Sequence, residues 1–199
     1  MPTLISPLSP STLATAFATA KLTTDPSQLA EIKAVCDTII KNQPIYEQVQ
    51  RVTKIPFYVV GTLHARECDS NFSQHLHNGD PLTARTVHAP AGRPVPPPAS
   101  GHFPYQWFES AIDAFKGEWF PPNGVFDAGN ILAFCEHYNG WGAAERHGVN
   151  TPYLWSYTDQ YTAGMYVADY QWSDTAVNKQ PGCAAVFLAL KARGLVTAF

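Results

Sequence analysis

A glutamate closes an apolar stretch in the first third of the chain. Apart from Tyr58, the only ionisable side chains in residues 57–66 are His64 and Arg66, and Glu67 follows this stretch directly. The β-branched residues of this stretch also fit a strand, but its largely apolar start and polar close predict a buried helix that emerges into a cleft. Partial burial disfavours the charged form of a carboxyl and raises its pKa, so Glu67 is a candidate general acid.

Cleavage of a glycosidic bond needs such an acid, because the carboxyl must stay protonated until it meets the leaving-group oxygen. Position alone favours a simpler interpretation, a solvated glutamate at a helix end paired with Arg66, since most glutamates lie on surfaces. The reaction also needs a second polar group across the cleft, which stabilises an oxocarbenium-like centre or holds a water molecule. Asp80 and Thr86 follow Glu67 in the chain and are the candidates for that group.

The segment after Asn71 is rich in turn formers and threonine. Asn78-Gly79 is a strong signal for a tight turn, and we predict a small irregular β-hairpin over residues 75–90. Asp80 is explained equally well as a turn residue without a catalytic duty, and Thr86 as an ordinary strand threonine. The prolines of residues 93–104 predict an extended surface loop after the hairpin.

Apolar residues at helical spacing predict helices on both sides of these segments. They cover residues 26–42, 44–52, 57–67, 105–115, 127–138, a short stretch from 151, and 182–193. The aromatic-rich segment 164–174 has room for a second small hairpin. The predicted fold class is therefore mainly α (α+β), a helical domain with a small β-hairpin after the helix of Glu67. Residues 1–25 are predicted to be an N-terminal extension and residues 26–199 a single catalytic domain.

Composition restricts the class of protein. The chain has 199 residues, 45% of them hydrophobic and 15% charged, which is typical of a folded domain rather than a disordered one. A net charge of -3 argues against a nucleic-acid-binding protein, and no apolar run has the length of a membrane-spanning helix. Residues 1–22 lack a basic start and an apolar core, so we expect synthesis in the cytoplasm without an export signal.

Cysteines and histidines offer metal or redox chemistry, but their spacing does not support it. No Cys-x-x-Cys pair or zinc-ligand spacing is present, and we predict buried free thiols and no metal or cofactor. The histidines around the predicted hairpin fit polar loop positions or sugar contacts better than a metal site. They are His64, His75, His77 and His88. Ser70 and Ser110 lack the Gly-x-Ser-x-Gly context of a hydrolase nucleophile.

Two segments carry a resemblance to a known superfamily. Residues 64–72, His-Ala-Arg-Glu-Cys-Asp-Ser-Asn-Phe, resemble the helix-ending glutamate motif of lysozyme-like proteins, including goose-type lysozymes and soluble lytic transglycosylases. Members of that superfamily usually have serine directly after the glutamate, whereas this chain has Cys68, with Ser70 two positions later. Residues 136–142 resemble the Tyr-Asn segment that lines the cleft opposite the acid in the same superfamily.

The order of several short motifs is similar to that of bacterial and phage lysozymes of the endolysin type. The matching segments are 64–67, 76–82, 85–88, 90–94, 107–111 and 152–156. This resemblance implies a lysozyme-like fold and cleavage of the β-1,4 bond between N-acetylmuramic acid and N-acetylglucosamine. Glu67 would protonate the leaving oxygen, and Asp80 with Thr86 would serve as the water-side or stabilising partner. The predicted glycan contacts are Tyr138, Asn139 and His64.

The predicted partner is the glycan strand of peptidoglycan, and we expect a monomer that binds no nucleic acid and does not insert into membranes. Such a protein would act on the cell wall after release, as a phage endolysin or a secreted effector. Three alternatives stay open. A lytic transglycosylase, which the Tyr138-Asn139 segment favours, gives 1,6-anhydro products. A chitinase or chitosanase acts on a related glycan, and a non-catalytic module only binds one.

Overall fold

Helices make up half of the computed structural model, which describes residues 9–95, 104–140, 142–168 and 170–196. Two strands, β1 (Met165–Ala168) and β2 (Gln171–Ser173), pair antiparallel. The chain divides into two compact units. We call Thr38–Glu118 the central unit and the other described residues the terminal unit. The helices are α1 (Pro10–Thr19), α2 (Pro26–Lys41), α3 (Gln43–Thr53), α4 (Phe57–Cys68), α5 (Trp107–Ala114), α6 (Ala128–Asn139), α7 (Gly142–His147), α8 (Pro152–Trp155) and α9 (Cys183–Ala192).

The central unit is built around α4, which packs against α3, while α3 also packs against α5. Helix α4 is buried without interruption from Tyr58 to His64, because its sequence is apolar on every side. Gly61 permits this packing, since a Cβ there would lie 3.0 Å from side-chain atoms of Ile39 and Tyr46. A rigid core therefore surrounds the helix that ends at Glu67.

In the terminal unit α6 packs against α1, α8 and α9, and α8 packs against α9. Helix α1 begins with Ser9, whose side chain caps the backbone N–H of Thr12, and it buries Leu13 and Phe17. In the strand pair Tyr166 lies opposite Trp172. Residues 10–19, which the sequence assigned to an extension, thus form a helix with its own packed face.

The predicted fold class, mainly α with a small hairpin, is confirmed, but the hairpin lies elsewhere in the chain. The described segment after α4, residues 69–95, consists of turns with one isolated bridge between Gln74 and Pro81. Side chains rather than a strand ladder satisfy much of its backbone, which explains the difference. The observed hairpin is β1–β2, within the segment 164–174. We call residues 69–95 the α4–α5 loop; residues 96–103 of the predicted proline-rich loop lie outside the described residues.

Apart from α7, the helices from residue 26 onwards follow the predicted pattern, and their ends differ from it by at most two residues. Helices α1 and α7 were not predicted. All four cysteines are free and buried, as predicted. They are Cys36, Cys68, Cys135 and Cys183.

Candidate functional site

Glu67 lies in the last turn of α4 and is half-buried. The chain reverses immediately after it, because Asp69 and Ser70 both adopt left-handed backbone angles, with φ of 49° and 59°. Their backbone N–H groups bond back to the last turns of α4, with Ser70 N donating to His64 O at 3.1 Å. Left-handed residues other than glycine are uncommon and cluster at functional sites. The reversal keeps the end of α4 in one position.

The tip of the α4–α5 loop packs directly on the backbone of Glu67. Gly79 has φ of +79°, and a Cβ at this position would lie 3.1 Å from the carbonyl oxygen of Glu67. Only glycine combines this backbone angle with so close an approach at little cost. The Asn78-Gly79 turn is therefore a contact of the helix end, beyond its role in reversing the chain.

Asp80 is buried and organises this loop. Its Oδ2 accepts hydrogen bonds from the backbone N–H groups of Val87 at 2.7 Å and His88 at 3.0 Å, and its Oδ1 bonds to His88 Nδ1 at 2.6 Å. Burial raises the pKa of Asp80, but these bonds together outweigh burial and lower it to about 2. Asp80 is thus an ionised carboxylate with both oxygens engaged inside the loop.

Thr86 closes the neighbouring turn. Its hydroxyl donates to Pro90 O at 2.6 Å and accepts from Arg93 N at 2.9 Å, while its backbone N–H donates to Arg93 O at 2.9 Å. The side chain is buried. The loop uses the polar atoms of Asp80 and Thr86 for its own structure, and a catalytic role for either stays a prediction.

Asp113 on α5 is a second buried carboxylate, which the sequence did not single out. Arg93 Nε lies 3.0 Å from its Oδ2 and Lys116 Nζ 3.4 Å from its Oδ1. His77 Nε2 is 3.2 Å from Oδ2, and the backbone N–H of Val95 lies 3.3 Å from both oxygens. Burial lowers the pKa of His77 to about 4 despite this carboxylate, so neutral His77 donates a hydrogen bond to Asp113 at neutral pH. Asp113 ties the loop to α5.

His75 joins the same two elements. Its Nε2 lies 2.8 Å from Ala84 O, an acceptor, so its Nδ1 accepts the hydroxyl proton of Ser110 at 2.7 Å. This is the arrangement of a serine and its base, but both side chains are fully buried and no substrate reaches them. His75 and Ser110 therefore hold the loop on α5 as a structural pair.

His64 is fully buried, one turn of α4 before Glu67. Its Nδ1 lies 3.0 Å from the Tyr46 hydroxyl, and its ring packs against Phe72 and Trp107 with centroid distances of 4.6 and 4.5 Å. Burial lowers the pKa of His64 to about 4, so the ring is neutral at neutral pH. We expected these histidines in polar loop positions or at sugar contacts, but the structure buries His64, His75 and His77 and leaves His88 exposed. A glycan contact by His64 stays a prediction.

Tyr138 and Asn139 belong to the terminal unit, at the end of α6. Tyr138 is half-buried, and exposed Asn139 donates from its side-chain amide to Gly140 O at 3.2 Å. The other predicted site residues all belong to the central unit. A glycan contact by Tyr138 or Asn139 stays a prediction.

Glu136, also on α6, is another buried acidic residue that the sequence analysis did not single out. The residue is buried, and neither carboxylate oxygen has a hydrogen-bond partner among the described residues. Burial raises the pKa of Glu136 to about 8, so the side chain is largely protonated at neutral pH. The sequence does carry a signal for this burial, because Glu136 directly follows five consecutive apolar residues, 131–135, and the structure buries all five.

Comparison with known proteins adds no assignment: the chain matches no family model, no curated protein and no solved structure. Across the described residues there is no group of three or more histidine, cysteine, aspartate or glutamate side chains able to hold a metal ion. The helices of the described part of the chain are too short or too polar to cross a membrane. The contacts described above define the candidate site as Glu67 and the α4–α5 loop, which packs on the backbone of Glu67.

Proposed function

We propose that this protein cleaves the glycan strands of peptidoglycan, at the β-1,4 bond between N-acetylmuramic acid and N-acetylglucosamine, with Glu67 as the general acid. One observation carries the proposal: a half-buried glutamate lies in the last turn of a helix that is buried from Tyr58 to His64, and a braced loop packs on its backbone. The motif resemblance of residues 64–72 to lysozyme-like proteins supports the same role.

The chemistry asks for a proton donor held in one place beside the glycosidic oxygen. Helix α4 supplies the fixed position, because the core of the central unit surrounds it from Tyr58 to His64. Glu67 is half-buried in the last turn of the helix, and the proposal requires that a glycan reach its carboxyl there. Asp80 and Thr86 keep the loop beside Glu67 in one conformation, which limits the reorganisation needed when substrate binds.

A lytic transglycosylase is the second candidate, and one observation favours it. Such an enzyme needs no second catalytic carboxyl, because a hydroxyl of the substrate itself attacks and forms the 1,6-anhydro ring. Both oxygens of Asp80 and the hydroxyl of Thr86 are already bonded within the loop. Glu67 is the acid in both candidate reactions. Their products differ in mass by one water, so mass spectrometry separates the two candidates.

The direct test replaces the acid with its amide. Glu67→Gln keeps the size of the side chain but removes its proton, and we expect clearing of purified peptidoglycan to slow on the order of a hundredfold or more. Glu47→Gln is the matched control, because Glu47 is also half-buried in the central unit but lies on α3. It should clear peptidoglycan at the wild-type rate.

Circular dichroism and thermal unfolding establish that both variants are folded. Clearing by Glu67→Gln within a fewfold of wild type would refute its role as the acid. Binding of peptidoglycan by the wild-type protein without any cleavage would make the chain a glycan-binding module instead.

A further inference from the structure

A groove of about 470 Å³ lies in the terminal unit, and none of the residues assigned a role above lines it. This volume falls within the range of roughly 300–1,000 Å³ found for small-molecule sites. One side is the segment between α1 and α2, and the other sides are the segment after α8 and the segment before α9. Its side chains include Thr23, Thr24, Gln28, Thr162 and Asn178.

Backbone pairing gives the groove a fixed floor. Leu22 and Thr158 form an isolated antiparallel bridge. On either side of it, Thr23 N donates to Tyr157 O at 2.9 Å and Asp159 N donates to Lys21 O at 3.0 Å. Two distant parts of the chain are thereby joined, and the groove does not depend on a single mobile loop.

Two tyrosines in the lining are held by their hydroxyl groups. Tyr157 donates to Glu31 Oε2 at 2.7 Å, and its backbone has φ of 66°. The hydroxyl of Tyr161 donates to Gly164 O at 3.2 Å and accepts from Asn178 N at 3.3 Å. Each ring keeps its orientation. Tyr161 is half-buried and offers fixed aromatic surface beside the hydroxyl and amide groups of the groove, whereas Tyr157 is buried and supports the lining from behind.

The lining chemistry selects a class of ligand. Threonine hydroxyls and side-chain amides supply donors and acceptors without net charge. Lys21 and Asp159 carry opposite charges, and Oδ1 of Asp159 accepts hydrogen bonds from the backbone N–H of Lys21 at 2.9 Å and from Gln160 Nε2 at 3.0 Å. A phosphate or other strong anion finds no cluster of positive charge in this lining, whereas a neutral, hydroxyl-rich ligand can bond to these groups and pack on the ring of Tyr161.

We propose that this groove binds a neutral saccharide segment of a glycan and so gives the terminal unit a glycan-binding site of its own. The choice of an N-acetylglucosamine chain as ligand rests on the proposed function, but the groove and its chemistry do not. Such a site would hold the protein on its polymer without taking part in bond cleavage.

The test uses the full chain carrying Glu67→Gln, so that binding is measured without cleavage, and tetra-N-acetylchitotetraose as the probe. Backbone amide shifts should move at residues 21–24 and 157–162 during titration. Adding Gln28→Ala and Thr162→Ala should raise the dissociation constant of the probe, measured from those shifts, at least tenfold. Thr15→Ala with Gln171→Ala is the matched control, because it removes the same side-chain types from exposed positions of the terminal unit outside the groove.

Two results would overturn the site: no shifts at these residues up to millimolar probe, or equal affinities for the groove and control variants. Maltotetraose, a neutral glycan without acetamido groups, tests the ligand class. Weaker binding of maltotetraose supports an N-acetylated glycan, and equal binding refutes that choice of ligand while retaining a saccharide site. Because the Glu67→Gln background does not cleave, failure here and failure of the proposed cleavage are separate outcomes.

Discussion

In the central unit Asp80 is buried beside two backbone N–H donors and the ring of His88, and Asp113 is buried beside Arg93 and Lys116. In the terminal unit Glu136 is buried with neither oxygen hydrogen-bonded among the described residues. The first two carboxylates are engaged by donors from the chain around them, and their charge holds a loop without regular structure in place. Glu136 lies within α6, where the hydrogen bonds of the helix already pair the backbone groups, so its carboxylate does not complete the hydrogen bonding of a loop. Burial of an acid stabilises a fold when the acid completes local hydrogen bonding, and otherwise favours its neutral form.

Removing the charge of Asp113 should have the largest effect on stability. Asp113→Asn leaves Arg93 without its buried partner, and we expect the free energy of unfolding to fall by about 4 kcal/mol. Asp37→Asn is the matched control, since Asp37 also pairs with two cations, Lys33 and Arg193, but its side chain is half exposed. The control should cost less than about 1 kcal/mol. Equal losses in urea unfolding would refute the distinction between the two sites.

Glu136→Gln should change how stability depends on pH. Burial raises the pKa of Glu136 from its ordinary 4.5 to about 8, so the folded state keeps a proton that the unfolded chain releases. This contribution is fully present below about pH 4.5 and is lost as pH rises toward 8, by up to ~1.4 kcal/mol per pH unit.

Urea unfolding of wild type and Glu136→Gln between about pH 5 and 7 measures this slope. Glutamine does not titrate, so the variant should lose less stability over this range than wild type. Glu145→Gln, on the half-buried Glu145 of α7, should keep the wild-type slope. Parallel curves for all three proteins would show that Glu136 is ionised in the fold.

A smaller effect is expected at Asp80. Asp80→Asn weakens the charge-assisted bonds to the Val87 and His88 N–H groups, which should cost about 2 kcal/mol. Since the pKa of Asp80 is lowered to about 2, its contribution is present above its ordinary value of 3.8 and is lost as pH falls from there toward 2.

Activity separates the two roles of Asp80. If Asp80 organises the loop, the folded variant should keep its rate of peptidoglycan cleavage within about tenfold of wild type. A loss on the order of a hundredfold in a fully folded variant would instead support the catalytic role that the sequence predicts. Thr86→Val, which removes the hydroxyl at equal size, offers the same choice with a smaller expected loss of stability.

The sequence predicted most helices because helix signals are local. Apolar spacing was sufficient for α2, α4, α6 and α9, together with proline at the start of α2 and α4 and glycine after α6 and α9. Helix α1 was missed because its Ala/Thr-rich sequence buries only Leu13 and Phe17. The predicted hairpin was displaced because the Asn78-Gly79 signal indicates a turn but does not show whether strands flank it.

The candidate site was predictable only at its centre. The apolar helix and its terminal glutamate are adjacent in the chain, so Glu67 could be selected directly. The bonding of Asp80 to residues 87 and 88, and of Asp113 to Arg93, depends on how the loop folds back on itself and on α5. No periodicity encodes such contacts. The sequence could have drawn attention to Glu136, because this glutamate follows an apolar run directly. It could not show that the carboxylate has no hydrogen-bond partner among the described residues.

Product analysis of purified peptidoglycan tests the central claim, cleavage that depends on Glu67, most directly. Mass spectrometry after digestion should show fragments ending in reducible N-acetylmuramic acid for wild type and Glu47→Gln, and none for Glu67→Gln. Intact glycan strands after digestion with the wild-type protein, or the same fragments released by Glu67→Gln, would contradict the account.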